Sequence, residues 1–318
     1  MRVDYVDADI NGLLAEPDVL AVIGFGASAP RHDDPRCLRI ALEPTSNSRL
    51  EVWRGQAPVR RGRHGAVNWS SDGDYLFFAI DVDEIAAGGL EAAAEQAYAE
   101  ICALLESYRS PDGKPAHVLR LWNYMDAINE GEGDDERYRH FCTGRARGIG
   151  PAARNGYSAA TAIGRRDGIR VLQVYGLAAH VAGIAVENPR QVSAWCYPRQ
   201  YGPVAPTFAR ATRTPANQLL VSGTAAVVGH STRHVGDTLA QLDETLLNLA
   251  SLFDAAGSEI AARGFAASLL KVYLRDPADA ETVERRIRER EGGLPAPLIL
   301  VGDICRSDLR LEIDGIQG

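Results

Sequence analysis

The same order of elements is written twice along this chain, about 150 residues apart. In the second half, residues 218–228 read as a β-run and Gly236-Asp237 as a helix start. Leu239, Leu242, Leu246, Leu249 and Phe253 then recur at helical spacing until Ala256-Gly257 closes the helix. A β-run over 268–274, a charged helix over 278–291 and strands near 297–301 and 309–313 follow. The first half repeats the sequence of signals: a β-run over 75–82, a helix over 90–108 striped by Ala94, Ala97, Ile101, Leu104 and Leu105, a β-run over 117–122, and a short helix from Asp134 through Phe141. Setting Val118 to Trp122 on Leu269 to Tyr273 aligns the preceding helices to within a few residues.

A duplicated β-α-β-α-β-β order predicts an α/β (α+β) chain of two related units with mixed sheets. Glycine and proline cluster at Arg147-Gly148-Ile149-Gly150-Pro151, so the division is expected there, giving units 1–148 and 149–318. Ligand sites favour the cleft where two such units abut.

Charge narrows the partners. Of 318 residues, 42 are acidic and 34 basic, for a net charge of -8. With no Lys/Arg-rich run, the footprint of a phosphate backbone is missing, so neither nucleic acid nor an anionic membrane is expected as a partner. Residues 1–9 carry acids where a secretory leader needs a basic patch, and no apolar stretch is long enough to span a bilayer. A cytoplasmic chain is the expectation. The five cysteines are scattered without a C-x-x-C pair, which suggests neither a disulfide framework nor a thiolate zinc site.

Several signals fail on their own mechanics. Gly24-Phe25-Gly26-Ala27-Ser28-Ala29 imitates a dinucleotide fingerprint, but Pro30 and Pro35 bracket the stretch that would have to supply the pyrophosphate-binding helix. His230 and His234 are four apart yet precede the helix start and have no third ligand at fixed spacing. The acidic run Glu130 to Glu136 lacks a calcium-loop pattern. Asn68-Trp69-Ser70 matches a glycosylation acceptor and carries no weight without secretion.

More chemistry sits in Arg120-Leu121-Trp122-Asn123-Tyr124, followed by Arg137-Tyr138, Phe141 and Gly144-Arg145. Arginine forks grip carboxylates bidentately and aromatic rings wall a flat or cyclic body, so the set suits a small ring-bearing dianion. Trp195 to Gly202, with Tyr197, Arg199 and Tyr201, repeats the combination; the competing reading of each cluster is a salt-bridge network with core aromatics. At the C-terminus Leu309, Leu311 and Ile313 alternate with Arg310, Glu312 and Asp314. Glu312 is then either an exposed edge-strand residue or, if its face lines the cleft, a general acid whose pKa burial raises.

Over nearly the whole length these residues resemble the chorismatase family. The anchors are Arg120-Leu-Trp-Asn-Tyr124, Glu136 to Phe141, Gly144-Arg145, Cys196-Tyr-Pro-Arg199, Ser222-Gly223-Thr224-Ala225, and Ile304-Cys-Arg306 with Glu312. The resemblance implies a fold similar to the reactive-intermediate deaminases, with the duplication building inside one chain a cleft that those proteins form between subunits; a monomer is therefore expected. It implies chorismate as substrate and pyruvate as one product, with Arg145 and Arg199, and then Arg137 and Arg120, holding carboxylates, Tyr124, Tyr197 and Tyr201 walling the ring, and Asn123 orienting a polar group. Glu312 would protonate the enolpyruvyl methylene carbon, with no metal, nucleotide or flavin cofactor needed. Cys305, seven residues before Glu312, and Gly223 would mark the members that form 3-hydroxybenzoate, some of which also release 4-hydroxybenzoate. Capture of the cation by water would instead give a cyclohexadiene diol, and a third reading is a non-catalytic or imine-hydrolysing relative of the deaminase fold.

Overall fold

The computed structural model describes residues 1–46, 49–110, 112–150, 156–291 and 296–318. The first 54 residues, which the repeat leaves unassigned, form a small sheet of their own: β1 (Arg2–Val6), α1 (Ile10–Ala15), β2 (Val19–Phe25), β3 (Cys37–Ile40) and β4 (Leu50–Arg54), ordered β1-β4-β2-β3. After β2 the chain turns at Gly26, φ 87°, and no helix follows, so the glycine-rich stretch is a turn.

The first repeated unit comprises β5 (Arg60–His64), β6 (Val67–Ser71), β7 (Tyr75–Asp83), α2 (Glu84–Ala87), α3 (Leu90–Ser107), β8 (His117–Asp126), α4 (Arg137–Ile149), β9 (Ala159–Arg165) and β10 (Val171–Ala179). The second comprises β11 (Ile184–Val186), β12 (Ala211–Arg213), β13 (Leu219–Thr224), a hairpin of β14 (Val227–Val228) and β15 (Ser231–Thr232), α5 (Thr238–Ala256), α6 (Ser258–Arg263), β16 (Ser268–Leu274), α7 (Ala280–Glu291), β17 (Leu298–Val301), β18 (Asp303–Ile304) and β19 (Leu311–Gln317). Their sheets run β5-β6-β7-β10-β8-β9 and β11-β12-β13-β19-β16-β17, the same topology strand for strand, with β8–β9 and β16–β17 the parallel pairs. The expected α/β class with mixed sheets is the fold observed.

Sheet pairing carries the first unit to Ala179, past the division expected at 148/149. The glycines at 148 and 150 belong to the end of α4, and Pro151 lies outside the described residues. The last helix of that unit also differs from expectation: it begins at Arg137 and runs to Ile149, because the acids before it form a separate turn at Gly133–Asp135. Its register is set by two glycines. A Cβ at Gly144 would sit 1.9 Å from the Glu91 carbonyl oxygen and one at Gly148 2.4 Å from that of Glu95, so α4 lies directly on the backbone of α3. That contact presents the neighbouring Arg145 to the interior.

Each sheet turns one face to its own helices and the other to the rest of the molecule. Leu311 and Ile313 of β19 pack with Leu242, Leu246 and Val272 under α5, and Leu172 and Val174 of β10 pack under α3. The opposite faces meet in a shared core of Trp53, Phe77, Trp122, Tyr124, Tyr175 and Tyr273. The units are stitched at their edges, since β18 pairs antiparallel with β9 (Asp303 with Gly164). Pro44 bridges to Leu300 on β17.

Candidate active site

Period-two alternation places Glu312 and Asp314 on the β19 face turned towards the first unit. β19 is flanked by β13 and β16, so Glu312 sits on a central strand and not at an exposed edge. Asp314, 1% exposed, gathers four donors on Oδ2: Arg120 Nη2 at 3.1 Å, Trp122 Nε1 at 2.8 Å, Thr161 Oγ1 at 2.9 Å and Tyr273 OH at 3.0 Å. Such a shell replaces the water that a buried carboxylate gives up. Glu312, 5% exposed, is different: no described residue hydrogen-bonds its carboxyl. Burial first, and then the Asp314 charge, push Glu312 up to about 8 against the opposing pull of Arg120 and Arg210. It is a neutral acid with its proton unassigned to any neighbour.

Glu312 opens on a cavity of about 360 Å³ between the two units, within the roughly 300–1,000 Å³ range of small-molecule sites. The first unit contributes Asn123 from β8, Tyr138, Arg139 and Arg145 from α4, and Thr161 from β9. The second contributes Tyr197, Tyr201, Arg210, Gly223, Cys305 and Arg306.

Ion pairing separates the arginines. Arg145, 5% exposed, makes no hydrogen bond or ion pair among the described residues and only overlies the Tyr98 ring at 5.2 Å. The Arg210 guanidinium donates to the Val192 carbonyl at 2.7 Å and to Tyr197 OH at 2.8 Å, and that of Arg306 to the His230 carbonyl at 2.8 Å; neither guanidinium hydrogen-bonds a carboxylate among the described residues, although the Arg210 backbone N–H donates to Glu187 at 3.2 Å. A buried cation left without an anion is costly, which makes Arg145 and Arg210 receptors for carboxylates brought in from outside, with the half-buried Arg306 beside them.

Of the residues expected at the site, the structure brings Asn123, Arg145, Tyr197, Tyr201, Gly223, Cys305 and Glu312 to one cavity. It places four elsewhere. Arg120 is fully buried beneath the cavity, its Nη2 on Asp314 and Thr161 and its Nη1 on the Leu121 carbonyl, so it supports the floor. Arg137 pairs with Glu84 at 2.7 Å and donates to the Asp126 carbonyl. Arg199, its side chain 64% exposed, is turned outward onto Asp134. Tyr124 is buried and shares a 2.9 Å hydrogen bond with Tyr273. These three arginines already have acids in the chain and therefore do not serve as free carboxylate receptors. Three cavity arginines are absent from the expected site residues: Arg139, which is paired with Asp134 and Glu136, and the two without an ion pair among the described residues, Arg306 and Arg210. Arg306 adjoins Cys305 in its motif, and Arg210 lies alone in Phe208-Ala209-Arg210-Ala211, where an arginine among small apolar residues was the available signal.

The remaining walls are set closely. Arg306 lies 4.1 Å over Tyr201 and 5.2 Å over Tyr197, whose rings are 5.3 Å apart. Asn123 is pinned: Tyr98 OH donates to its oxygen at 2.6 Å and its nitrogen donates to the Thr161 carbonyl at 2.9 Å. At Gly223 a Cβ would come within 1.9 Å of Glu312 Oε1, so glycine there leaves room for the acid. Burial, reinforced by Glu312 whenever that acid ionises, holds the Cys305 thiol far above its ordinary range, making it a neutral filler and no nucleophile. His230 is engaged by Tyr201, and His234 by Glu244; among the described residues no group of three metal-ligating side chains occurs.

An α/β protein whose repeated halves close on a protonated acid and unpaired arginines is built for acid–base work on a small anion. Comparison with known proteins makes the class specific. The family model for the N-terminal part of FkbO/Hyg5-like chorismatases matches residues 51–178. A 3-hydroxybenzoate synthase of Streptomyces hygroscopicus is 36% identical over 86% of this chain and 83% of its own. A chorismatase of Streptomyces rapamycinicus is 37% identical over 88% and 86%. A crystal structure of a chorismatase superposes with a TM-score of 0.82 at 32% identity, covering 100% of this chain and 97% of that one. The chain belongs to the chorismatase family and is an enzyme. No helix among the described residues is long and apolar enough to cross a membrane.

Proposed function

We propose that this enzyme converts chorismate to 3-hydroxybenzoate and pyruvate, with Glu312 as the proton donor. The observation that carries the proposal is the neutral Glu312 carboxyl facing the same cavity as Arg145, Arg210 and Arg306. Chorismate is a ring with two carboxylates, one on the ring and one on the enolpyruvyl ether. Arg145 on α4 and Arg210 beside β12 are suited to grip one each, and Arg306 over its tyrosine pair reinforces the second-unit side. Tyr197 and Tyr201 wall the ring.

Glu312 then gives its proton to the enolpyruvyl methylene carbon, leaving an oxocarbenium centre on the ether carbon and a carboxylate on the protein. Carbon protonation at neutral pH needs an acid that is positioned and still protonated, which burial of Glu312 supplies. The ring hydroxyl oxygen then attacks the neighbouring ring carbon that bears the ether; that C–O bond breaks with its electron pair going to the ether oxygen, pyruvate leaves as the ketone, and the hydroxyl proton returns to Glu312. The resulting epoxide opens as the ring carbon's proton moves to its oxygen, which aromatises the ring, and no water is consumed. Cys305 and Gly223, in the places that mark the hydroxybenzoate-forming members of the family, support this branch, as does the name of the Streptomyces hygroscopicus relative. The cavity is assembled within one chain, which supports a monomer.

A second reading is hydrolysis: if water reaches the cation first, one water is consumed and a cyclohexadiene diol appears with the pyruvate. Incubation with chorismate and chromatographic separation of products distinguishes the branches. A hydroxybenzoate peak equal to pyruvate is expected, with 4-hydroxybenzoate as a minor companion. Diol alone overturns the branch, and no pyruvate above the uncatalysed background overturns the reaction.

A further inference from the structure

One buried ion pair has no part in the proposed chemistry. Lys271 of β16, 2% exposed, pairs with Glu51 of β4 at 2.7 Å, and Glu51, equally buried, also accepts from Trp53 Nε1 at 2.8 Å. A buried pair is a weak source of stability, because desolvating both charges offsets most of their attraction. Its place is more telling. The antiparallel register sets Lys271 opposite Asp314 and Tyr273 opposite Glu312. Lys271 and Glu312 are therefore diagonal neighbours on one face of adjacent strands, about 7–8 Å apart at the backbone.

Close contacts join this pair to the floor of the cavity. Lys271 Nζ stands 5.4 Å from the centre of the Trp122 ring, Arg120 lies 4.3 Å over the same ring, and Trp122 Nε1 donates to Asp314. Lys271 Nζ also donates to Tyr175 OH at 3.4 Å. Burial pulls the Lys271 ammonium down, but Glu51, then Tyr124 and Asp314, outweigh it and keep it charged. Glu51 with Lys271, and Asp314 with Arg120 at 3.1 Å, thus put two anions and two cations in one buried cluster whose charges sum to zero. Facing Glu312 are Asp314 on its own strand, Arg120 from β8, Arg210 before β12, Tyr138 from α4 and Cys305 after β18, with Lys271 and Tyr273 on β16 and Gly223 on β13. Arg145 and Arg306 line the cavity beside it.

We propose that Glu51 and Lys271 are positioning residues for the proton donor: by cancelling the ammonium diagonal to Glu312, Glu51 leaves that acid over a cluster of no net charge, so no unbalanced cation expels its proton. The N-terminal sheet, which stands outside the repeated units, thereby takes part in the reaction of the cleft between them. The assignment rests on Glu312 being the donor. Removing the Glu51 charge leaves one positive charge in excess, which favours the ionised acid; removing the Lys271 charge leaves one negative charge in excess, which favours the protonated acid. A unit charge about 8–10 Å away, at an effective dielectric of about 20, moves a titrating group by roughly one pH unit.

The test follows two midpoints of the full chain from about pH 5 to pH 10: the alkaline limb of kcat/KM for pyruvate release from chorismate, and the titration of the Glu312 carboxyl by 13C NMR of glutamate-labelled protein. The Glu312 resonance is assigned by its absence from Glu312→Gln. Glu51→Gln should bring both midpoints roughly one pH unit below the wild-type position near 8, and Lys271→Met should carry both roughly one unit above it. The double variant Glu51→Gln/Lys271→Met should return both to the wild-type position. A pair that only holds the fold together would lower Tm or activity and move neither midpoint, which overturns the proposal. A double variant displaced as far as a single one overturns it as well. If Glu51→Gln does not fold, as judged by near-ultraviolet circular dichroism, Lys271→Met and the double variant decide by the same criteria. A carboxyl midpoint that moves with the pair while pyruvate release shows no alkaline limb overturns Glu312 as donor and leaves the charge balance standing.

Discussion

Replacing Glu312 by glutamine keeps the shape of the side chain and removes its proton, and the two consequences run in opposite directions. With a pKa of about 8 the carboxyl is about nine-tenths protonated at pH 7, whereas at its ordinary 4.5 it would be about 0.3% protonated, so burial raises the working acid roughly 300-fold. That gain has a cost in stability. The unfolded chain releases this proton near pH 4.5 and the folded chain near 8, so the stabilisation linked to the proton is complete below 4.5 and is lost as the pH climbs to 8. The loss amounts to about 3 kcal/mol at pH 7 and about 5 kcal/mol above pH 8.

A side-chain amide does not titrate, so Glu312→Gln should gain on the wild type as the pH rises. Between pH 5 and pH 7 the gap should grow by about 2.5 kcal/mol, or roughly 4 °C in Tm for a chain of this length. Turnover should fall by about 10²–10⁴-fold, the usual worth of a positioned general acid, with 3-hydroxybenzoate binding retained. Differential scanning fluorimetry across pH and a pyruvate-release assay read both. A Tm gap that stays flat between pH 5 and 7 refutes the buried neutral acid, and turnover within tenfold of wild type refutes its role.

The wild type's kcat/KM should fall tenfold per pH unit above about pH 8, where the acid form is depleted, and a profile level to pH 10 counts against Glu312 as donor. Arg145→Ala should raise KM by roughly 10- to 150-fold, the range of about 1.5–3 kcal/mol for a charged hydrogen bond, whereas Arg199→Ala, removing an exposed pair with Asp134, should leave KM and stability nearly unchanged; steady-state kinetics on both variants separates them. Gly223→Ala would drive a methyl into the Glu312 carboxyl, and the same kinetics should show kcat lowered more than KM is raised. Cys305→Ala should move product from hydroxybenzoate towards the diol, and an unchanged product ratio removes Cys305 from the branch decision.

Helices α3 and α5 and strand β19 were legible because each has one apolar face: the stripe of α5 and the alternation of β19 are periodic signals that local sequence carries. Strands β9 and β10 were not, for a physical reason: their neighbours in space lie on β8 and β7, and their alternation is interrupted by a polar turn at 166–170. The N-terminal sheet was invisible to a search for repeats because it has no counterpart in the second half.

Residue type found the candidate site only in part, because an arginine's chemistry depends on whether the fold has already given it an anion. Arg120, Arg137 and Arg199 stand in the motifs richest in aromatic neighbours, yet Asp314, Glu84 and Asp134 occupy their forks. Arg145, Arg210 and Arg306 are left over, and all three face the cavity that holds Glu312. None of those acids is a sequence neighbour of its arginine, the shortest separation being the 53 residues between Glu84 and Arg137, so no local spacing could have sorted the two groups. The same reasoning explains why Glu312 and Asp314, two residues apart on one strand face, play different parts: four donors from three other strands converge on Asp314 and none on Glu312, leaving one carboxyl anchored and its neighbour free to carry a proton.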